Sequence, residues 1–297
     1  MKIAVTGANS SVGKILLERL TKETEINVVA GVRNKKAFSD LPQNKAIKPS
    51  VIAYDDISTL ENITAGVDCV IHLAGILVET KNSNYASANI AATASVVEAA
   101  LNTGVKHFIF ISVVGANSNS KNAYFRSKGA AEKLISDSGI VASILRTPIL
   151  LGKGAAGSQA ILGMASSGQT KVLGGGHYQM RPLDIDDLSE ALTKISQNPP
   201  KGTTIHELVG PTSFSYRDII SKTAQLMGKS VEIGSVPIWI AKMGAAITST
   251  IKGGGITPTV IDVITQDEVI ETNADEAIGI TLTTLENTLQ KMVNSGD

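Results

Sequence analysis

Two side chains one helical turn apart hold the most specific chemical potential in the chain. In Tyr124-Phe125-Arg126-Ser127-Lys128 the phenol and the ammonium are four residues apart and share one face of any helix they occupy. A phenol ordinarily titrates near ~10. A neighbouring cation favours the phenolate and lowers that value, which would make Tyr124 a proton donor or acceptor for a reacting oxygen. Tyr-x-x-x-Lys recurs by chance, and the alternative is an ordinary surface pair. The spacing gains weight from its place after a strand in an alternating α/β pattern.

The second constellation is at the start of the chain. Lys2-Ile3-Ala4-Val5-Thr6 reads as a buried strand, Gly7-Ala8-Asn9-Ser10-Ser11-Val12-Gly13 as a turn, and Lys14 to Leu20 as a helix. Strand, glycine turn and helix together form a site for a dinucleotide pyrophosphate. Gly7 makes the tight turn, Gly13 brings helix and strand together, and the helix N-terminus faces the phosphates. The middle position is Ser10 rather than glycine, small enough to fit and carrying a hydroxyl for a phosphate oxygen. The bland alternative is a plain βα turn. An acid at the end of the second strand would bond the ribose hydroxyls. Arg33, Lys35 and Lys36 stand there instead, so a 2′-phosphate is favoured and NADP is the expected cofactor, with NAD as the alternative. Asp56 and Ile57 could flank the adenine, or Asp56 could cap the next helix. In this setting a positively charged nicotinamide would add to the effect of Lys128 on Tyr124.

These residues need a scaffold. Further strands are expected at Asn27–Val32, Val51–Tyr54, Val70–Leu73, Phe108–Ser112 and Val141–Leu145. Helices are expected from Ser58, with Glu61 completing a capping box, and over Asn84–Leu101 and Ala123–Ser136. Alternating strands and helices imply parallel pairing with right-handed crossovers. The fold class is therefore α/β, a Rossmann-type doubly wound parallel sheet over residues 1–148. Residues 149–297 are expected to form a smaller, interleaved substrate-binding lobe that covers the strand ends. Within it, Ile185–Ile195 and Tyr216–Met227 read as helices, Ile205–Val209 as a strand returning to the sheet, and Thr283 with Glu286 as the start of a last helix. The apolar segment Trp239–Ile251 favours core packing. A lid over an apolar substrate, or a partner-protein or membrane-surface contact through 236–251, is the alternative.

Composition narrows the remaining classes. Lys+Arg and Asp+Glu number 27 each, so no excess of basic charge argues for nucleic acid or an anionic membrane. The lone Cys69 excludes an internal disulfide and lies in an apolar run. Four scattered histidines lack ligand spacing, and Asp184, Asp186 and Asp187 sit where a helix dipole favours acids, so no metal is expected. A strand beginning at Lys2 leaves no room for a signal peptide, and no apolar run reaches the ~18 residues of a membrane span. A cytoplasmic protein with a small-molecule substrate is the expectation.

The chain resembles the extended, or atypical, branch of the short-chain dehydrogenase/reductase superfamily. The matching pieces are Thr6-Gly7 with Gly13, His72-Leu73-Ala74-Gly75, Ala88-Asn89-Ile90, Phe108–Ser112, Tyr124 with Lys128, Leu145-Arg146-Thr147-Pro148 and Pro182–Leu188, in the family's order. Ser112–Ala116 and Pro237–Ile240 suggest proteins similar to the NADPH-binding accessory subunit of respiratory complex I. The resemblance implies a catalytic set of Tyr124, Lys128, Asn89 and a serine, with Lys128 on the nicotinamide ribose. Ala74 and Gly75 would lie along the cofactor and Thr147 near the nicotinamide. The family's serine position falls on Val113, with Ser112 one residue earlier and facing the other way unless the strand bulges. The expected function is NADP-dependent hydride transfer to or from a carbonyl or carbinol carbon. The rivals are a nucleotide-sugar epimerase or dehydratase, which needs cations in the second lobe, and a non-catalytic NADPH-binding structural or sensor protein.

Overall fold

The computed structural model describes residues 1–22, 26–252 and 255–295, with the side chains of 250–252 left aside. In the first half, β1 (Lys2–Thr6) leads through the glycine turn into α1 (Ser11–Leu20). Then come β2 (Asn27–Val32), β3 (Ile47–Val51), α2 (Ile57–Thr64), β4 (Cys69–His72), a π-turn (Ala86–Ala91) running into α3 (Ala92–Asn102), β5 (His107–Val113), α4 (Ala123–Asp137) and β6 (Ala142–Thr147). The second half holds β7 (Leu150–Leu151), α5 (Ala156–Ser166), β8 (Gln169–Leu173), β9 (Gln179–Met180), β10 (Leu183–Asp184), α6 (Ile185–Gln197), β11 (Thr203–Glu207), β12 (Phe214–Ser215), α7 (Tyr216–Leu226) and β13 (Glu232–Val236). It closes with α8 (Ile238–Lys252), α9 (Pro258–Ile264), α10 (Asp275–Ile278) and α11 (Leu285–Ser295).

Seven parallel strands form one sheet in the order β11-β6-β5-β4-β1-β2-β3. Alternate residues of each strand feed opposite cores. Ile3, Val5, Ile71, Ile109 and Leu145 pack on α1 and α6 through Leu16, Leu20, Leu188 and Leu192. Ala4, Val70, Phe108, Phe110 and Ile144 pack on α2, α3 and α4 through Leu60, Val96 and Ile135. Each such buried aliphatic contributes about 1.5–3 kcal/mol of transfer free energy. The second half thus supplies a strand, β11, and a full helix, α6, to the first half's layers.

Three local expectations are corrected. The third strand is Ile47–Val51, not Val51–Tyr54. It lies at the sheet edge, where Pro49 opposite Ala30 leaves no central ladder donor missing. Asp56, not Ser58, caps α2, accepting from Ser58 N at 3.1 Å. Thr284 rather than Thr283 takes the capping position of α11, accepting from Asn287 N at 3.3 Å, while Thr283 donates its hydroxyl and its amide to Asp187, each at 2.7 Å. Asp184 is buried and accepts from Thr288 Oγ1 (2.7 Å) and Lys291 Nζ (3.0 Å). The acids at the start of α6 therefore dock the C-terminal helix.

Candidate cofactor cleft and active site

A cleft of about 810 Å³ opens at the C-terminal ends of β1, β2 and β4, the side of an open α/β sheet where ligands bind. Its floor is backbone. Gly7 has φ +71°, and a Cβ there would lie 3.2 Å from Ala74 N; a Cβ on Gly13 would run into the Ala8 carbonyl. Asn9, Ser10, Ala74 and Gly75 line the cleft, and Arg33 stands on its rim with Tyr54 and Asp55. The bare floor and the amide-rich start of α1 fit a dinucleotide pyrophosphate.

The hydroxyls of the phosphate loop are engaged in holding it in place. Ser10 Oγ accepts from Gly13 N at 3.0 Å and so caps α1. Ser11 Oγ donates to Gly154 O at 2.6 Å, tying α1 to the second half, and Val12 packs on the core. Asp56 and Ile57 are not among the cleft-lining residues. Asp56 is spent on its cap, Ile57 packs against the α2–α4 core, and Tyr54 and Asp55 take the wall position instead. Lys35 and Lys36 open a 3-10 turn capped by Asn34 and lie outside the lining, leaving Arg33 there without them.

Behind the lining residue Gly75 stand Asn89 and Lys128, which, like Tyr124 and Thr147, are not among the cleft-lining residues. A Cβ on Gly75 would sit 3.2 Å from Asn89 Oδ1 and 3.7 Å from Lys128 Nζ. Asn89 is buried in the π-turn, a deformation frequent at functional sites. Its amide grips Ile76 from both sides, Oδ1 accepting from Ile76 N (2.8 Å) and Nδ2 donating to Ile76 O (3.1 Å). Lys128 Nζ donates to Ile111 O at 2.6 Å and lies 4.0 Å above the Phe110 ring. Burial pulls its titration down to about 7, against Glu132 one turn on, which favours the ammonium.

Tyr124 departs from expectation in its electrostatics. Burial, and then the adjacent Tyr85, push its phenol above the ordinary value rather than below it; the two rings are 5.8 Å apart. Ser112 is buried and not among the cleft-lining residues. The strand pairs regularly through Val113↔Thr147, so no bulge turns Ser112 round, and its hydroxyl donates to Glu132 Oε1 at 2.5 Å. Glu132 is itself held by Arg146 at 2.7 Å. Thr147 is buried, its hydroxyl donating to Ser112 O at 3.3 Å.

In the second half, Arg181 donates to Gly210 O and Pro211 O, and Arg217 to Gly175 O and Ile233 O. The core assignment of Trp239–Ile251 is overturned for its large apolar side chains among the described residues. Trp239, Ile240, Met243 and Ile247 are exposed and only the small Ala245 is buried among the described residues of the segment, and the main helix contact of α8 is with α9. No helix among the described residues is long and apolar enough to cross a membrane.

The model of the NAD(P)H-binding family matches residues 7–173, more than half of the chain and the span that builds the cleft. The chain belongs to the NAD(P)H-binding family. It is 26% identical over 257 residues to the mitochondrial NADH dehydrogenase [ubiquinone] 1 alpha subcomplex subunit 9 of Arabidopsis thaliana, covering 82% of this chain and 62% of that protein. The chain thus spans under two thirds of that relative's length. It is 25% identical over 266 residues to a UDP-glucose 4-epimerase of Vibrio cholerae, covering 81% and 80%. UDP-glucuronic acid 4-epimerase from Bacillus cereus, solved in complex with NAD, superposes with a TM-score of 0.77 at 20% identity over 99% of this chain and 98% of that one. The fold of this chain is that of the solved UDP-glucuronic acid 4-epimerase.

Proposed function

We propose that the chain is an NADPH-dependent oxidoreductase that transfers hydride to the carbonyl of a small molecule, with Tyr124 as proton donor. The observation that carries this reading is Lys128, a buried lysine directly behind the cleft-lining Gly75 and one turn from Tyr124. Gly7, Gly13 and the start of α1 would hold the pyrophosphate, Arg33 the 2′-phosphate, and Lys128 the nicotinamide ribose. When bound, the cofactor supplies the hydride. Tyr124 then gives its phenolic proton to the developing alkoxide, and the ammonium of Lys128 draws that proton forward by stabilising the phenolate. A raised phenol pKa suits a donor that must stay protonated until substrate arrives. The nucleotide-sugar reading is weaker, because Arg181 and Arg217 are already spent on backbone carbonyls instead of being free for a diphosphate.

A second reading, a cofactor-binding structural protein, is favoured by one feature: Ser112 is locked onto Glu132 and Val113 has no hydroxyl to offer a substrate oxygen. The test is NADPH oxidation against aldehydes, ketones and quinones. Tyr124→Phe should bind NADPH normally and lose about 10²–10⁴-fold in turnover. Equal turnover by the variant refutes the Tyr124 mechanism. Tight NADPH binding with no turnover of any compound makes the structural reading the better one.

A further inference from the structure

His72 has no exposed surface and ends β4, in register with Thr6 of β1 and Phe110 of β5. Its ring stacks on Phe110 with centroids 5.8 Å apart. Nδ1 lies 2.6 Å from Thr6 Oγ1, and Nε2 lies 3.2 Å from Thr93 Oγ1. The proton positions follow from counting. Thr93 donates to Asn89 O at 2.7 Å; a carbonyl only accepts, so the single hydroxyl proton of Thr93 is spent. Nε2 must therefore be the N–H that donates to Thr93. Burial, reinforced by the Lys128 ammonium, holds the ring neutral by drawing its titration down to about 3. Nδ1 is then bare and accepts a hydrogen bond from the Thr6 hydroxyl.

The chain continues beyond Asn89. Besides holding Ile76, the Asn89 amide donates to Ser127 Oγ at 3.0 Å, and Ser127 donates to Tyr124 O at 2.7 Å. One imidazole thus joins the residue immediately before Gly7 to the π-turn that fixes Ile76 in the cleft wall and braces α4, the helix carrying Tyr124 and Lys128. Between Thr6 and the Asn89 carbonyl each proton thus has one acceptor, so this segment of the chain has one direction.

We propose that His72 is a positioning residue that sets the spacing between the phosphate-loop end of the cleft and its Gly75–Ile76 end, behind which Asn89 and Lys128 stand. A dinucleotide must touch both ends at once, so its affinity depends on that spacing, whereas a ligand that occupies one end does not sense it. The inference rests on the cleft holding a dinucleotide.

Thr6→Val and Thr93→Val each remove one hydroxyl with little change of shape and cut the chain on either side of His72. Each should weaken NADPH and NADH alike by about tenfold, and leave 2′,5′-ADP, which spans only the adenosine end, within about twofold of wild type. The double variant should bind NADPH no more than about twofold worse than the weaker single, because a chain already cut loses little from a second cut. Nitrogen NMR of the wild type should find His72 Nε2 protonated and Nδ1 bare from about pH 5 to 8. A merely structural histidine predicts equal losses for NADPH and 2′,5′-ADP, or none for either, and either pattern overturns the proposal. So does the opposite tautomer or a ring that titrates in that range. Failure of the wild type to bind either dinucleotide overturns the cofactor reading and this inference with it; binding that the variants leave unchanged overturns the inference alone.

Discussion

On the proposed NADPH reading, replacing Arg33 by alanine should leave a cleft that scarcely distinguishes the two cofactors. Arg33 follows β2 directly, stands on the cleft rim with Tyr54 and Asp55, and makes no hydrogen bond or ion pair among the described residues. Its guanidinium is therefore available to a 2′-phosphate without first breaking a protein contact. A charge-assisted hydrogen bond contributes about 1.5–3 kcal/mol. Arg33 is exposed, and solvent screening brings the expected value to the lower end of that range. About 1.5 kcal/mol is roughly tenfold in dissociation constant. Arg33→Ala should thus weaken NADPH by about tenfold and leave NADH unchanged within about twofold. Lys35→Ala, which touches a residue outside the lining, should weaken NADPH by no more than about threefold. Because the contact is exposed, the wild-type preference should shrink as salt shortens the screening length below about 10 Å. The assay is nicotinamide fluorescence titration at two salt concentrations. Equal affinity of the wild type for NADPH and NADH, or an unchanged NADPH affinity in Arg33→Ala, refutes the reasoning.

Other outcomes follow from the same geometry. Ser10→Leu should abolish dinucleotide binding by blocking approach to the loop, and Ser10→Gly should preserve it at a stability cost of a few tenths of a kcal/mol from the lost helix cap; fluorescence titration and urea unfolding report both, and normal binding by the leucine variant removes the loop from the site. Gly13→Ala should destabilise the fold by at least about 1–3 kcal/mol, since its Cβ meets the Ala8 backbone, which cannot swing aside as a side chain can; an unchanged urea midpoint contradicts this packing. Lys128 titrates at about 7 in the folded chain and near ~10.4 when unfolded. Between those values the unfolded chain binds the extra proton, so stability rises with pH across that window. Lys128→Met should flatten the rise and stabilise the protein most below pH ~7. Urea midpoints across the range test this, and an unaltered slope refutes it.

The parts of the molecule written locally in the sequence are those in which neighbours along the chain are neighbours in space. Gly7 through Gly13 encode their own turn, with Ser10 capping the helix three residues on, and the strand–helix alternation implies a parallel sheet because a crossover needs a helix's length of chain. Tyr124 and Lys128 share a helix, so their spacing was readable. The third strand was not, because strand formation at an edge is decided by the partner: Ile47–Val51 pairs with β2 although Val51–Tyr54 is the more apolar run. Contacts that close long loops could not be read either. The sequence offers Ser112 as a catalytic hydroxyl, but Glu132, twenty residues away, turns it into a buried structural donor. The direction of the Tyr124 shift depends on burial beside Tyr85, which periodicity does not report. His72 reads as one more residue of an apolar strand, and only the sheet order, which sets β4 beside β1 and under the π-turn, joins it to Thr6 and Thr93. Local pattern determined which chemistry the chain carries. Tertiary structure decided which of those groups face the cleft and in what protonation state, because desolvation and long-range hydrogen bonds are properties of the packed molecule.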